Sequence, residues 1–177
     1  MDETFDAHAL ARGVLAVLDA LRVDSIHIAG NSLGGAVGVL ITAERPNAVQ
    51  SLGLFNSAGV VPAETSEFFA MLEQGTNPLV VHNRAELDRF FDLIFHVYPP
   101  MPWPMRSVLA RRYAERAAFL EKVWKDLYTG EGATQYLQRI TAPVLILWGD
   151  CDRVLHVASA ALFAAEIEGA ETVILPE

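Results

Sequence analysis

The sequence predicts an α/β fold, a parallel sheet interrupted by an inserted helical unit, and three observations carry that expectation. Strand-like and helix-like segments alternate at both ends of the chain. Between residues 60 and 139 the pattern becomes helical only. A glycine-flanked turn, Gly30-Asn31-Ser32-Leu33-Gly34, joins a short strand directly to a helix.

Taken in order, residues 4–22 place Phe5, Leu10, Val14, Val17, Leu18 and Leu21 at helical spacing, with Thr4 or Asp6 as cap, which predicts a surface helix with one buried stripe. Residues 23–29 are short, β-branched and followed at once by Gly30, the pattern of a strand entering a tight turn. A helix over residues 32–45 is stopped by Pro46. Residues 50–56 form the second strand and residues 143–148 the third, whose unbroken apolar run predicts cover on both faces. A helix over 158–167 and a strand over 171–175 complete the core. The insert reads as helices over 64–75, 84–95 and 104–128, punctuated by Pro62, Pro78 and the cluster from Tyr98 to Pro104. The expected organisation is therefore core over 1–59, helical unit over 60–139, and core again over 140–177.

The length of 177 residues suits one domain with an inserted subdomain. Apolar residues make up 52% and mean hydropathy is +0.27, yet no stretch reaches the ~20 uncharged apolar residues of a transmembrane segment. A soluble chain with an apolar interior or cavity is expected. Thirteen cationic against 22 acidic residues give a net charge of −9, and no Lys or Arg block offers the basic stripe that nucleic acid requires. The single cysteine, Cys151, excludes an intrachain disulfide. The acidic opening Met1-Asp2-Glu3 lacks the pattern of a secretory signal, which makes the cytoplasm the default expectation. No spacing calls for a metal or a cofactor.

A serine hydroxyl is a weak nucleophile until a base takes its proton and donors stabilise the resulting oxyanion. A sharp strand-to-helix turn exposes such a serine, and the residues two before and two after it must then lack bulk. Gly30 and Gly34 occupy those places around Ser32. The N–H of Leu33, at the helix N-terminus, is the candidate oxyanion donor. Gly35 and Gly38 let the helix approach the sheet. The required carboxylate follows the third strand in Gly149-Asp150-Cys151-Asp152-Arg153-Val154, past the carboxyl end where parallel sheets build their sites. Asp152 is the first candidate and Asp150 the alternative.

With G-N-S-L-G-G after one strand and W-G-D-C-D-R-V-L after a later one, the chain resembles the α/β-hydrolase superfamily. The wording H-I-A-G-N-S-L-G-G, S-L-G-L-F-N-S-A-G-V, N-P-L-V-V and A-P-V-L-I-L-W-G-D is most similar to bacterial lipases and esterases of the monoacylglycerol lipase type. The resemblance spans nearly the whole chain. It implies a partial α/β-hydrolase fold, a half-sheet of the family's strands five to eight, with residues 60–139 as the helical cap, Ser32 as nucleophile and Asp152 as triad acid.

Family members carry the catalytic histidine in a Gly-His loop after the last strand, and a second oxyanion donor in a His-Gly loop before the first helix seen here. The resemblance implies that both lie outside a chain cut at its two ends. It further implies near-inactivity of the 177 residues alone, since loss of the histidine from a comparable triad removes roughly a million-fold in turnover. His156 stands four residues after Asp152 at a helix start, His8 on the first helix, His27 in the first strand, and His82 and His96 in the cap; none matches the family's base. The first strand, central in the family, would have one bare edge here, which predicts self-association.

The segment from Phe90 to Phe95, with Tyr98, Met101, Trp103 and Met105, is rich in large apolar groups and reads as a pocket for an acyl chain, where each buried methylene contributes ~0.8 kcal/mol. Asn31, Phe95, Met101, Trp103 and Val154 are the expected substrate contacts, and the expected substrate is a small apolar carboxylic ester such as a monoacylglycerol. A C–C bond hydrolase of dienoic ring-fission products shares G-N-S-x-G-G, but needs cations for a carboxylated substrate. Arg106, Arg111, Arg112 and Arg116 lie at spacings that suit a solvated helix face. A third reading is a non-catalytic module that keeps the hydrolase scaffold without its chemistry.

Overall fold

A computed structural model describes residues 4–130 and 132–177. Four strands, β1 (Ile26–Ser32), β2 (Val49–Ser57), β3 (Val144–Gly149) and β4 (Glu171–Leu175), form one parallel sheet in the order β1-β2-β3-β4. The helices are α1 (Ala7–Leu21), α2 (Leu33–Glu44), α3 (Glu67–Glu73), α4 (Arg84–Ile94), α5 (Trp103–Thr129) and α6 (Ala158–Glu166), with a 3₁₀ helix at Thr134–Arg139.

Local chemistry sets the boundaries. Asp6 caps α1 by accepting the Ala9 N–H at 2.7 Å, and Arg22, in the left-handed region at φ 55°, ends it. Ser66 and Asn83 cap α3 and α4 in the same way. In α2 every residue from Gly35 to Thr42 is buried, as expected of a helix enclosed between a sheet and another helix. It lies between the sheet and α1.

The main core gathers Leu52 and Leu54 of β2, Ile146 and Trp148 of β3, Phe163 of α6 and Leu137 of the 3₁₀ helix, each at most 1% exposed. Val60 and Ala133 pack in this same cluster, so both ends of the segment expected as the helical unit, 60–139, reach into the main core. The unit has its own core of Val81, Leu87, Phe90, Phe91 and Ala110.

The expectation that β3 is covered on both faces is corrected. Val144, Ile146 and Trp148 are buried, but Leu145 between them is 39% exposed. The helices that pack on the sheet, α2 and α6, cover the face carrying Leu54 and Ile146. The opposite face holds an open groove of about 400 Å³ lined by His27, Ala29, Gly53 and Leu145. A run of apolar residues does not itself say how many faces are covered. Strand β1 pairs with β2 alone among the described residues, so its other edge is bare.

Candidate active site

Ser32 is both the last residue of β1 and the N-cap of α2, at φ 51° and ψ −123°. Such a conformation costs a non-glycine residue about 1–3 kcal/mol and persists only where the surroundings enforce it. Here they do. Its carbonyl accepts the Ala58 N–H at 3.0 Å, and the neighbouring Asn31 side chain donates to the Phe55 carbonyl at 3.0 Å, tying the turn to the end of β2.

Glycines make the turn possible. A Cβ on Gly30 would overlap the Gly34 carbonyl, and one on Gly35 would overlap the buried Ser57 side chain. At Gly38 it would stand 3.0 Å from Leu52 Cδ1 and 3.1 Å from Ile28 Cγ2, so α2 sits close on the sheet. Gly34 differs: among the described residues a Cβ there meets nothing within 4 Å. Leu33 opens α2, and N–H groups of a first helical turn have no intrahelical acceptor.

Asp152 lies in the loop after β3, half-buried, with its carboxylate held from two sides. Oδ1 accepts the Val154 and Leu155 N–H groups at 2.8 and 2.9 Å. Oδ2 accepts Asn56 Nδ2 at 2.5 Å. The buried Trp148 supports this loop by donating Nε1–H to the Leu155 carbonyl at 3.0 Å. Asp150 has an exposed side chain, and its N–H continues the ladder to the Leu175 carbonyl at 3.0 Å.

Ser32 and Asp152 line one cleft of about 650 Å³ between the sheet's carboxyl ends and the helical unit, within the size range of small-molecule sites. Leu79, Phe90, Leu93 and Ile94 of the helical unit face Val154 and Leu155 of the acid loop across it. Arg153 joins the two sides: its guanidinium meets both Glu67 oxygens at 2.7 Å and the Asp92 carbonyl at 2.5 Å. The hydrogen-bonded Arg153 holds the Glu67 carboxyl below its ordinary range.

Of the expected substrate contacts, Asn31 and Val154 line the cleft. Phe95 instead packs against Phe91 and Tyr98, with ring centroids 5.8 and 6.4 Å away, Met101 packs on the helical unit's own core, and Trp103 is 72% exposed at the start of α5. Sequence patterning missed Asn56 and Leu79, while Leu93 lies in the segment expected to form the acyl pocket; nothing local marks Asn56 as a partner of Asp152.

The histidines are dispersed. His27 Nδ1 is 2.8 Å from Ser51 Oγ, His156 Nδ1 accepts the Ala158 N–H at the start of α6, His8 packs edge-on to Tyr136, and His82 pairs with Glu121. Among the described residues His96 is the histidine on the cleft wall, and its Nε2 lies 3.8 Å from Glu177. His96, Cys151 and Glu177 bring one ligand atom each within 4.8 Å of one another. Hydrogen bonding to Glu177 and then Asp150 pushes the Cys151 thiol up to about 12, so the group is protonated at neutral pH. No helix among the described residues is long and apolar enough to cross a membrane.

A solved membrane phospholipase A, described as a bacterial virulence factor, is 36% identical and superposes with a TM-score of 0.95 over 99% of this chain and 57% of its own. Lipase 3 of Moraxella sp. (strain TA144) is 25% identical over 151 residues, 84% of this chain and 48% of the lipase. Monoacylglycerol lipase abhd6-B of Xenopus laevis is 27% identical over 165 residues, covering 88% and 49%. The chain thus spans about half the length of the curated relatives it matches. A family model for the alpha/beta hydrolase fold matches residues 1–177, and the chain belongs to that family.

Proposed function

We propose that this chain carries the nucleophile and the acid of a serine hydrolase acting on carboxylic esters of apolar acids. Ser32 Oγ would attack the ester carbonyl, the Leu33 N–H would donate to the oxyanion, and Asp152 would orient and stabilise an imidazolium. The observation that carries this reading is the strained φ of Ser32 at a strand-to-helix junction, facing a cleft that also holds an aspartate fixed by three hydrogen bonds.

Substrate class follows from the cleft walls. Leu79, Phe90, Leu93, Ile94, Val154 and Leu155 offer apolar cover for an acyl chain, and the lipase and monoacylglycerol lipase relatives support an ester as the reacting group. The cation that lines the cleft, Arg153, is committed to Glu67. Arg106 pairs with Asp88 and lies over the Tyr98 ring, and Arg111 pairs with Glu115. Among the described residues the cleft lining thus offers no uncommitted arginine to the carboxylate of a dienoic diketone, so the ester reading stands ahead of C–C bond hydrolysis.

Among the described residues the partners of Asp152 are Asn56, Val154 and Leu155, and no histidine stands among them. Residues 1–177 taken alone should therefore turn over very slowly. A fluorophosphonate probe tests the nucleophile: labelling of the full chain that disappears in Ser32→Ala is the expected result. Equal labelling of both forms, or of neither, would favour the non-catalytic module. Faster cleavage of a dienoic diketone than of p-nitrophenyl octanoate would reverse the substrate assignment.

A further inference from the structure

Backbone pairing between β2 and β3 ends at Phe55 and Leu147. One residue further, Asn56 takes φ 42°, a left-handed conformation that asparagine tolerates better than most residues. Its side-chain amide then continues the cross-strand bonding. Oδ1 accepts the Gly149 N–H at 3.4 Å, and Nδ2 donates to Asp152 Oδ2 at 2.5 Å. One side chain thus ties the end of the sheet to the acid loop, across 96 residues of sequence.

We propose that Asn56 is a positioning residue for the catalytic acid, an inference that rests on the role assigned above to Asp152. The two carboxylate oxygens are engaged unequally. Oδ1 is occupied by two loop N–H groups, whereas among the described residues Oδ2 receives Asn56 alone. A carboxylate oxygen has two lone pairs, so Oδ2 keeps one for an imidazole N–H. By fixing one lone pair of Oδ2, the Asn56 amide sets the direction in which the other points. It also withdraws negative charge from that oxygen, which limits how strongly the aspartate stabilises the imidazolium.

The side chain must be a neutral amide to do both. Asp at position 56 has the same shape, yet it would put a second carboxylate against Oδ2 and offer no donor to it. Gly accepts the left-handed backbone without strain and removes only the amide, so it separates the polar contact from the fold.

The test is kcat, KM and the pH profile of kcat/KM on a p-nitrophenyl ester for the full-length protein that carries these residues together with its histidine base, and for its Asn56→Gly, Asn56→Asp and Asp152→Asn variants, with thermal melts. Loss of such an orienting contact typically costs about 10–100-fold, so Asn56→Gly should lose that much kcat with KM within about twofold. The acid limb of its profile should move up by about half a unit, because a less neutralised aspartate raises the imidazolium pKa. Asn56→Asp should move it further up. An Asn56→Gly enzyme with unchanged kcat and pH profile, beside an inactive Asp152→Asn, would overturn the proposal while leaving the triad intact. A loss of kcat in Asn56→Gly with an unmoved acid limb would also overturn it, since that is the mark of general loosening. Full turnover in Asp152→Asn would instead remove the role of Asp152 on which it rests.

Discussion

Gly34 and Gly35 adjoin at the start of α2, and replacing each by alanine should shift stability in opposite directions. Helix propensity alone favours alanine by about 1 kcal/mol at either site. At Gly34 nothing opposes that gain, because a Cβ meets no described atom within 4 Å. At Gly35 the new Cβ would overlap Ser57 Oγ and Cβ and stand 3.2 Å from Ser57 Cα. Rotating the serine relieves the first contact but not the backbone one, so α2 must lift from β2. Overpacking of this kind costs about 1–3 kcal/mol, and the rigidity of the neighbour argues for the upper part of that range. Net of propensity, Gly35→Ala should lose about 1–2 kcal/mol, or about 2–8 °C in melting temperature for a domain of this size. Because α2 begins at Ser32, fluorophosphonate labelling should slow as well. Adding Ser57→Gly should restore part of the loss, which a double-mutant cycle would register as coupling. Urea unfolding followed by tryptophan fluorescence measures the parent, the three single variants and the double variant. A Gly35→Ala variant as stable as the parent would refute the close approach of α2 to β2 derived from the geometry.

Trp148→Phe removes the Nε1–H bond to the Leu155 carbonyl and leaves a void in the main core; a loss of about 2–3 kcal/mol in the same assay is expected, with slower ester turnover, since Leu155 also donates to Asp152. The Glu67–Arg153 clamp should respond to acid. Glu67 is held below its ordinary value of 4.5, so the clamp's contribution is complete above that value and is lost as pH falls through the lowered one. The protection factors of α3 amides, taken relative to intrinsic exchange at each pH, should therefore fall on acidification in the parent and be already low, and flatter with pH, in Arg153→Ala. Both partners are largely exposed, so the effect on global stability should stay within about 1 kcal/mol. The bare edge of β1 and the open groove beside it predict that residues 1–177 self-associate at micromolar concentration; a single monomeric boundary in sedimentation velocity would contradict this.

How much of this was legible in the sequence varied with the range of the interaction. Strand β4 occupies Glu171–Leu175, as its β-branched pattern and flanking residues indicate. Strand β1 was expected over 23–29 and lies at Ile26–Ser32. At its start the Val23 N–H goes to the Leu18 carbonyl in the turn that closes α1, and at its end pairing continues through Gly30 and Asn31 to Leu54 and Phe55. Glycine ends a strand by propensity, but here the ladder runs on into the elbow. Ser32 and Asp152 line one cleft, and each could be singled out as a candidate because the turn that presents it is written within a few residues of it. Composition identified the apolar stretch from Phe90 to Met105 without telling which side chains face inward: α4 turns Phe90, Leu93 and Ile94 to the cleft, while Phe95 and Met101 pack against the helical unit's own aromatics. Asn56 was invisible because its partner Asp152 lies 96 residues away, in the loop after another strand.

The acid loop has two tenants. Asp152 belongs to the sheet through Asn56, and the next residue, Arg153, belongs to the helical unit through Glu67 and Asp92, whose elements also reach the loop through Phe68 N–H to the Arg153 carbonyl and Ser66 Oγ to the Val154 carbonyl. Lineages that diversify by exchanging their helical unit cannot treat this seam as neutral ground. A transplanted unit that lacks an acid at position 67 and a suitably placed carbonyl at position 92 would free Arg153 and disturb the aspartate one peptide bond away. Recombination at residues 60 and 139 should therefore succeed only when the loop from Asp152 to His156 travels with the unit it was selected beside.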